Sequence, residues 1–389
     1  MKSIVSRMHS VQSPIIPVVG ELIQNSPGTI SLGQGVVWYP PPPETFKMIP
    51  KFLSEPNNHL YQPVEGIAPL ISAFATKLKT FNKIEINQDN YIIVTAGSNM
   101  AFMNAILAIT APGDEIILNI PYYFNHEMAV RMASCRPILV ETDENYQLLL
   151  DKIANAITPS TRAVVTISPN NPTGAVTSES TLRSLNQICQ EKGIYHISDE
   201  TYDYFTYDKC KHFSPAAIKG SSYHTISLYS LSKAYGFASW RIGYMVIPQH
   251  LLEAVKKVQD TILICPPVIS QYAALGALQA QDNYLKENIS SIAKVREVVI
   301  NSLQELEGLC NIAPANGAFY LFLKVNTQMD AFELVKRLIY EHKVAVIPGD
   351  TFGMQDGCYV RVAYGALQQE TVEAGIKRLV NGLKIILGS

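Results

Sequence analysis

The chain is predicted to be an α/β protein with a large sheet-centred unit and a smaller α/β unit, and two observations carry that reading. Apolar, strand-length segments alternate with helix-length amphipathic ones through most of the 389 residues, as expected of strands joined by crossover helices. After about Gln281 the character changes, and a long charged helical stretch gives way to shorter pieces.

Each element follows from local pattern. Segments 91–95, 115–120, 137–141, 162–167, 194–198, 225–229 and 242–247 are short and apolar, and they read as strands. Between them, 99–109, 125–133, 178–191 and 251–259 repeat apolar residues at helical spacing. The smaller unit opens with a helix over 284–306 and continues with 318–323, a helix near 331–342, strands at 344–347 and 359–363, and a last helix from 368 to about 386. The first 45 residues do not fit the large unit, and Pro40 to Pro43 read as a stiff, extended linker. The expected organisation is an N-terminal arm and small-domain segment over 1–45, a large cofactor-binding domain over 46–285 and a small C-terminal domain over 286–389.

Composition excludes several classes of function. At 47% hydrophobic and 16% charged, the chain suits a large buried fraction. A net charge of -2 with scattered basic residues argues against nucleic acid or an anionic membrane as partner. The six cysteines form no CxxC pair and no metal-like spacing with histidine, which predicts no metal site and a reducing compartment. Residues 1–20 contain prolines and no continuous apolar run, so no secretory leader is expected. The uncharged stretch 261–281 contains Pro266-Pro267 and reads as a buried loop and helix rather than a membrane span. The expected location is cytoplasmic.

Charged residues sit between two apolar strands in the stretch from Ser230 to Gly243, which carries Lys233 and Arg241. Charges are rarely set in such places without a partner. A lysine among apolar neighbours has a lowered pKa and can form a Schiff base with a carbonyl. The arginine, with Ser230 and Ser232, suits a phosphate dianion. An aldehyde and a phosphate on one small molecule describe pyridoxal 5'-phosphate.

Other motifs have two readings each. Asp199 follows the 194–198 strand beside Glu200; it either caps a turn or keeps a pyridine nitrogen protonated. Asn171, in the turn from Ser168 to Gly174, is a turn residue or a donor to the cofactor's phenolate oxygen, a task Tyr202 can share. Gly97, Ser98 and Asn99 join a strand to a helix, where backbone N–H groups can approach an anion, although many such turns bind nothing. Tyr123 covers the core or stacks on a flat heterocycle. His126 is a structural histidine or a partner of Asp199. Arg361 lies within an apolar run of the small unit and needs either an internal carboxylate or a substrate carboxylate to clamp.

In their order and separations these motifs resemble the class I and II aminotransferases, pyridoxal 5'-phosphate enzymes of fold type I. Asn171 precedes Asp199 by 28 residues, and Lys233 precedes Arg241 by 8 and Arg361 by 128. Segments 348–353 and 316–320 resemble further small-domain signatures of that family. The resemblance implies a large domain with a mostly parallel seven-stranded sheet flanked by helices. It assigns Lys233 to the Schiff base and to proton transfer, Asp199 to the pyridinium nitrogen, Asn171 and Tyr202 to the phenolate oxygen, and Tyr123 to the ring face. Gly97, Ser98, Asn99, Ser230, Ser232 and Arg241 would hold the phosphate. Arg361, Asn171 and the Gly35 backbone would hold the substrate carboxylate. Tyr61 resembles the tyrosine that reaches a neighbouring subunit's cofactor phosphate, which implies a homodimer with shared active sites.

The implied activity is ping-pong transfer of an amino group from an L-amino acid to a 2-oxo acid. Two departures from many relatives lean the donor toward neutral or aromatic side chains. Val36 to Tyr39, with Trp38, would place apolar and aromatic surface near the substrate, and Asn99 stands where aspartate-using bacterial relatives tend to carry lysine. A carbon-sulfur β-lyase or related elimination or synthase enzyme shares the same cofactor chemistry and is the alternative. A non-enzymatic cofactor-sensing regulator domain is a lesser one, since the stretch before Gly33 leaves no room for a DNA-binding module.

Overall fold

The structure is a computed structural model that describes residues 6–280 and 282–388. The chain begins with helix α1 (Ile15–Gln24), the short strand β1 (Ile30–Ser31), α2 (Pro43–Ser54) and α3 (Ala68–Lys77). None of these was legible as a regular element, because prolines interrupt the pattern. They sit mostly where a helix tolerates them: Pro43 and Pro69 fall in the first turn, where a missing N–H costs nothing. The proline run is therefore extended only as far as Pro42.

The large unit continues with β2 (Asn90–Thr95), α4 (Ser98–Ile109), β3 (Glu115–Ile120), α5 (Phe124–Met132), β4 (Arg136–Glu141), α6 (Leu150–Ala156), β5 (Thr161–Ile167), α7 (Glu179–Lys192), β6 (Tyr195–Asp199), β7 (Thr225–Ser230), β8 (Gly243–Pro248), α8 (Leu252–Ile262) and α9 (Val268–Leu278). Helix α7 has the signals that end helices: Ser178 accepts the Thr181 N–H at 3.1 Å, and Gly193 closes it at φ +66°.

The seven strands form one sheet in the order β2-β8-β7-β6-β5-β3-β4. The neighbours from β7 to β4 run parallel, and β8 runs antiparallel to both of its neighbours. Alternate residues feed the two faces. Ile93, Leu118, Ile197 and Leu228 pack with α4, α5 and α8, while Ile92, Val94, Tyr229 and Tyr244 pack on the side of α3 and α9.

This topology gathers the site. Strands β2, β3, β5, β6 and β7 all end on one edge, and β8 begins there, with Gly243 in register with both Thr95 and Ser230. The loops that leave that edge carry Gly97, Tyr123, Asn171, Asp199, Lys233 and Arg241.

The rest of the chain is α10 (Asp282–Leu303), β9 (Cys310–Ile312), β10 (Tyr320–Val325), α11 (Ala331–His342), β11 (Val344–Ala345), β12 (Ile347–Pro348), β13 (Cys358–Ala363) and α12 (Gln369–Leu387). The single strand expected at 344–347 is two: β11 pairs in parallel with β1, and β12 joins an antiparallel sheet in the order β12-β13-β10-β9. Arg361 lies in the middle of β13, opposite Phe322 and Ile347. Among the described residues no helix is long and apolar enough to cross a membrane.

Candidate active site

A cavity of about 320 Å³ opens at the strand edge. Twelve of the residues expected from sequence line it: Gly35, Ser98, Asn99, Tyr123, Asn171, Asp199, Tyr202, Ser230, Ser232, Lys233, Arg241 and Arg361. Gly97 lies behind Arg241 rather than on the wall. It has φ +85°, and a Cβ there would come within 2.3 Å of Arg241 Nη2, so only glycine lets the guanidinium lie against this turn. Trp38 and Tyr61 are not on the wall; Trp38 is 37% exposed beside Tyr39, and Tyr61 is 82% exposed.

Lys233 is an amine among positive charges. Its Nζ donates to the Gly35 carbonyl and stands 5.8 Å from the Tyr202 ring centroid. Burial, then the guanidinium groups of Arg361 and Arg241, lower its pKa to about 8. A minority of such amines, far larger than for an ordinary lysine, is neutral and so nucleophilic near neutral pH.

Asp199 is buried at the end of β6. Burial pushes its carboxyl up, but His126 beside it and the side chain and N–H of Thr201 outweigh that and hold it below the usual carboxylate range. His126 Nε2 is 3.1 Å from Asp199 Oδ2, without the alignment of a good hydrogen bond, and Phe102 stacks on the imidazole at 3.9 Å. The two readings of His126 thus resolve toward contact with Asp199.

Arg361 is 2% exposed, and among the described residues no carboxylate lies within ion-pair distance of it. Nη1 donates to Asn171 Oδ1 at 2.8 Å and Nη2 to the Gly33 carbonyl at 2.6 Å, while Nε has no partner among the described residues. The ring of Tyr320 lies 4.6 Å from its Cζ. A buried guanidinium with neutral partners only is a site for an incoming anion. The Gly35 backbone, expected beside the substrate carboxylate, meets Lys233 through its carbonyl, which accepts from Nζ.

One part of the wall combines the start of α4 with Ser230, Ser232 and Arg241. Arg241 Nη2 donates to the Ala96 carbonyl at 3.1 Å and Nη1 to the Ala238 carbonyl at 2.9 Å, which aims the group.

Sequence reasoning missed Tyr320 as a site residue. Its hydroxyl is 2.7 Å from that of Tyr202, and a Cβ at Gly35 would meet it at 2.5 Å. Burial first, then Tyr320, raises the pKa of Tyr202, so its hydroxyl stays protonated and able to donate. Asn125 was also missed: its Nδ2 donates to the Tyr123 hydroxyl at 2.9 Å. Pro14 and Ile16 bring the N-terminal segment onto the wall. Only the Asn-Gly-Ala-Phe-Tyr320 motif had given a signal, as a small-domain signature.

These residues fit pyridoxal 5'-phosphate. The uncharged-capable amine, the guanidinium cradle that any Cβ at Gly97 would fill, and the orphan Nε of Arg361 match an aldehyde, a phosphate and a substrate carboxylate. Fold and site together suit an enzyme that holds an aldehyde cofactor through a lysine.

Comparison with known proteins agrees. The sequence profile of aminotransferase class I and II matches residues 27–379. An aromatic aminotransferase from Arabidopsis thaliana is 33% identical over 96% of this chain and 94% of that protein. An aspartate aminotransferase from Pyrococcus abyssi is 33% identical over 81% of this chain and 82% of that protein. The solved aromatic aminotransferase of Pyrococcus horikoshii superposes with a TM-score of 0.86 at 30% identity, over 95% of this chain and 99% of that one. The chain belongs to the aminotransferase class I and II family. It is a pyridoxal 5'-phosphate-dependent aminotransferase of fold type I, acting between amino acids and 2-oxo acids.

Proposed function

We propose that this aminotransferase takes a neutral, aromatic or otherwise large L-amino acid as donor and works through Lys233, Asp199 and Arg361. The observation that carries the site assignment is the lowered pKa of Lys233, about 8, in a cavity lined by two guanidinium groups. The bound cofactor supplies an aldehyde that condenses with amines and a ring that accepts the electron pair left when the α-proton departs.

The chain's own groups do the rest. Lys233 Nζ would hold the cofactor between turnovers, then take the α-proton and deliver it to the cofactor's C4' carbon, as a base of suitable pKa. Arg361 and Asn171 hold the substrate carboxylate and fix which bond of the α-carbon faces Lys233. Asp199, kept ionised, holds a proton on the ring nitrogen. Asn171 and Tyr202 would donate to the phenolate oxygen, and Tyr123 would cover the ring. Ser98, Asn99, Ser230, Ser232 and Arg241 hold the phosphate, with Gly97 letting Arg241 approach.

Support for the donor class comes from the wall itself. Ile16, Phe124 and Pro14 are apolar, and the position expected to carry a lysine in aspartate users holds Asn99, turned toward the Tyr123 hydroxyl. Relatives include both aromatic and aspartate aminotransferases, so the choice rests on these residues. We further propose a homodimer, in which exposed Tyr61 reaches the partner's phosphate site, a division into domains near residues 45 and 285, and a cytoplasmic location.

Borohydride reduction of the holoprotein followed by peptide mapping tests the assignment. Cofactor mass on Lys233 alone is expected; a label on another lysine refutes it.

A further inference from the structure

We propose that Glu200 is a positioning residue, a buried carboxylate that ties the strand end carrying Asp199 to the one carrying Lys233. The inference rests on the roles proposed for those two residues.

Glu200 directly follows Asp199, and neighbouring residues of an extended chain face opposite sides. Asp199 faces the cavity, whereas Glu200 is fully enclosed behind it. One oxygen, Oε2, meets three groups: Ser214 Oγ, which donates to it, Tyr229 Oη, which donates at 3.0 Å, and His212 Nε2 at 2.9 Å. Tyr229 is the residue before Ser230 on β7, so this contact joins β6 to the start of the segment that holds Ser230, Ser232 and Lys233.

The tie is anchored further out. Asn82 Nδ2 donates to Ser214 Oγ at 3.0 Å and also meets Asp203, which is ion-paired with Lys77 at the end of α3. Lys77 Nζ lies 4.9, 5.0 and 5.1 Å from the ring centroids of Tyr229, Tyr204 and Phe81. None of these groups lines the cofactor cavity.

Stability alone does not call for such an arrangement. Apolar side chains filling a buried ionic network are often as stabilising or more so. What a carboxylate with three partners adds is direction, because each hydrogen bond fixes distance and angle between two strand ends. The Asp199 carboxylate and the Lys233 amine must both meet one rigid ring, so their spacing decides how well it binds.

The test compares cofactor-free wild type, Glu200→Ala, Glu200→Gln and Tyr229→Phe by titration with pyridoxal 5'-phosphate and by melting with and without it. Glu200→Ala should bind the cofactor about tenfold or more weakly, within the range of coupling between linked sites. By reciprocity, the cofactor should raise its melting temperature less than it raises that of wild type. Glu200→Gln keeps an acceptor oxygen and should recover most of the affinity.

Tyr229→Phe keeps the ring stacked on Tyr244 at 4.8 Å and removes one donor, so it should give a smaller loss in the same direction. It decides the matter if Glu200→Ala does not fold. Variants that melt lower yet bind the cofactor as tightly as wild type would reduce the network to a stability element and overturn the inference. Lys233→Ala, run alongside, separates the two levels. Full turnover in that variant sinks the site assignment; its loss, with wild-type cofactor binding in Glu200→Ala and Tyr229→Phe, sinks the role of Glu200 alone.

Discussion

Raising the pH of the cofactor-free protein should release the amine of Lys233 far earlier than any ordinary lysine. With a pKa of about 8 against the usual 10.5, about a quarter of the Lys233 amines are neutral at pH 7.5, compared with about one in a thousand. Burial is the main cause, and the Arg361 and Arg241 guanidinium groups add to it. The sign for stability follows. Between pH 8 and 10.5 the unfolded chain still holds a proton that the folded one has released, so the cofactor-free protein gains stability as pH rises through that window. The gain is at most ~3 kcal/mol, and solvent in the cavity, which reaches the partly exposed Lys233, screens some of it.

The assay is acetylation by a small neutral ester over a pH series, read at each lysine by peptide mass spectrometry. Lys233 should show half-maximal reactivity near pH 8, with exposed lysines of the same sample as internal reference. Arg361→Gln should move the Lys233 midpoint upward, because it removes the larger of the two charge effects. A Lys233 midpoint near 10.5 would refute the argument from burial and charge.

The remaining predictions concern the walls. Arg361→Gln should lower kcat/KM for amino acid and oxo acid alike by about a hundredfold or more, and Arg361→Lys should not restore it, since a lysine lacks the planar fork; recovery with lysine would argue against two-point clamping. Gly97→Ala forces a Cβ into Arg241 and strains a left-handed backbone, at about 1–3 kcal/mol, and should weaken cofactor binding about tenfold in equilibrium titration. Among single amino acids tested for bleaching of the cofactor's visible band, phenylalanine or another large neutral donor should outpace aspartate by about tenfold or more, as expected for a distal carboxylate without a partner. Sedimentation should find a dimer, in which Tyr61→Phe weakens cofactor binding about tenfold or more, the worth of one hydrogen bond to a charged group.

The large sheet was readable from sequence because its strands are apolar on both faces and short. The segment 115–120 coincides with β3, and 194–198 differs from β6 by one residue at each end. Helices α1, α2 and α3 were not, since Pro17, Pro50 and Pro69 break the apolar repeat that reveals helices elsewhere. The 344–347 run looks uniform, and only pairing with β1 on one side and β13 on the other divides it. Lys233, Asp199 and Arg361 stood out because charge in an apolar setting is anomalous in any fold. Tyr320 did not, because a tyrosine in an apolar strand is ordinary until Tyr202 arrives from a distant segment at 2.7 Å. Glu200 was legible only as the second of two carboxylates; its partners Ser214 and Tyr229 are brought to it by tertiary packing.

The most direct test is a single half-reaction. Holoprotein mixed with one L-amino acid, and no oxo acid, should release one 2-oxo acid per subunit and then stop, while Lys233→Ala releases none. Continuous release of ammonia and oxo acid would identify an elimination enzyme instead, and undiminished product from Lys233→Ala would contradict the assignment of the site.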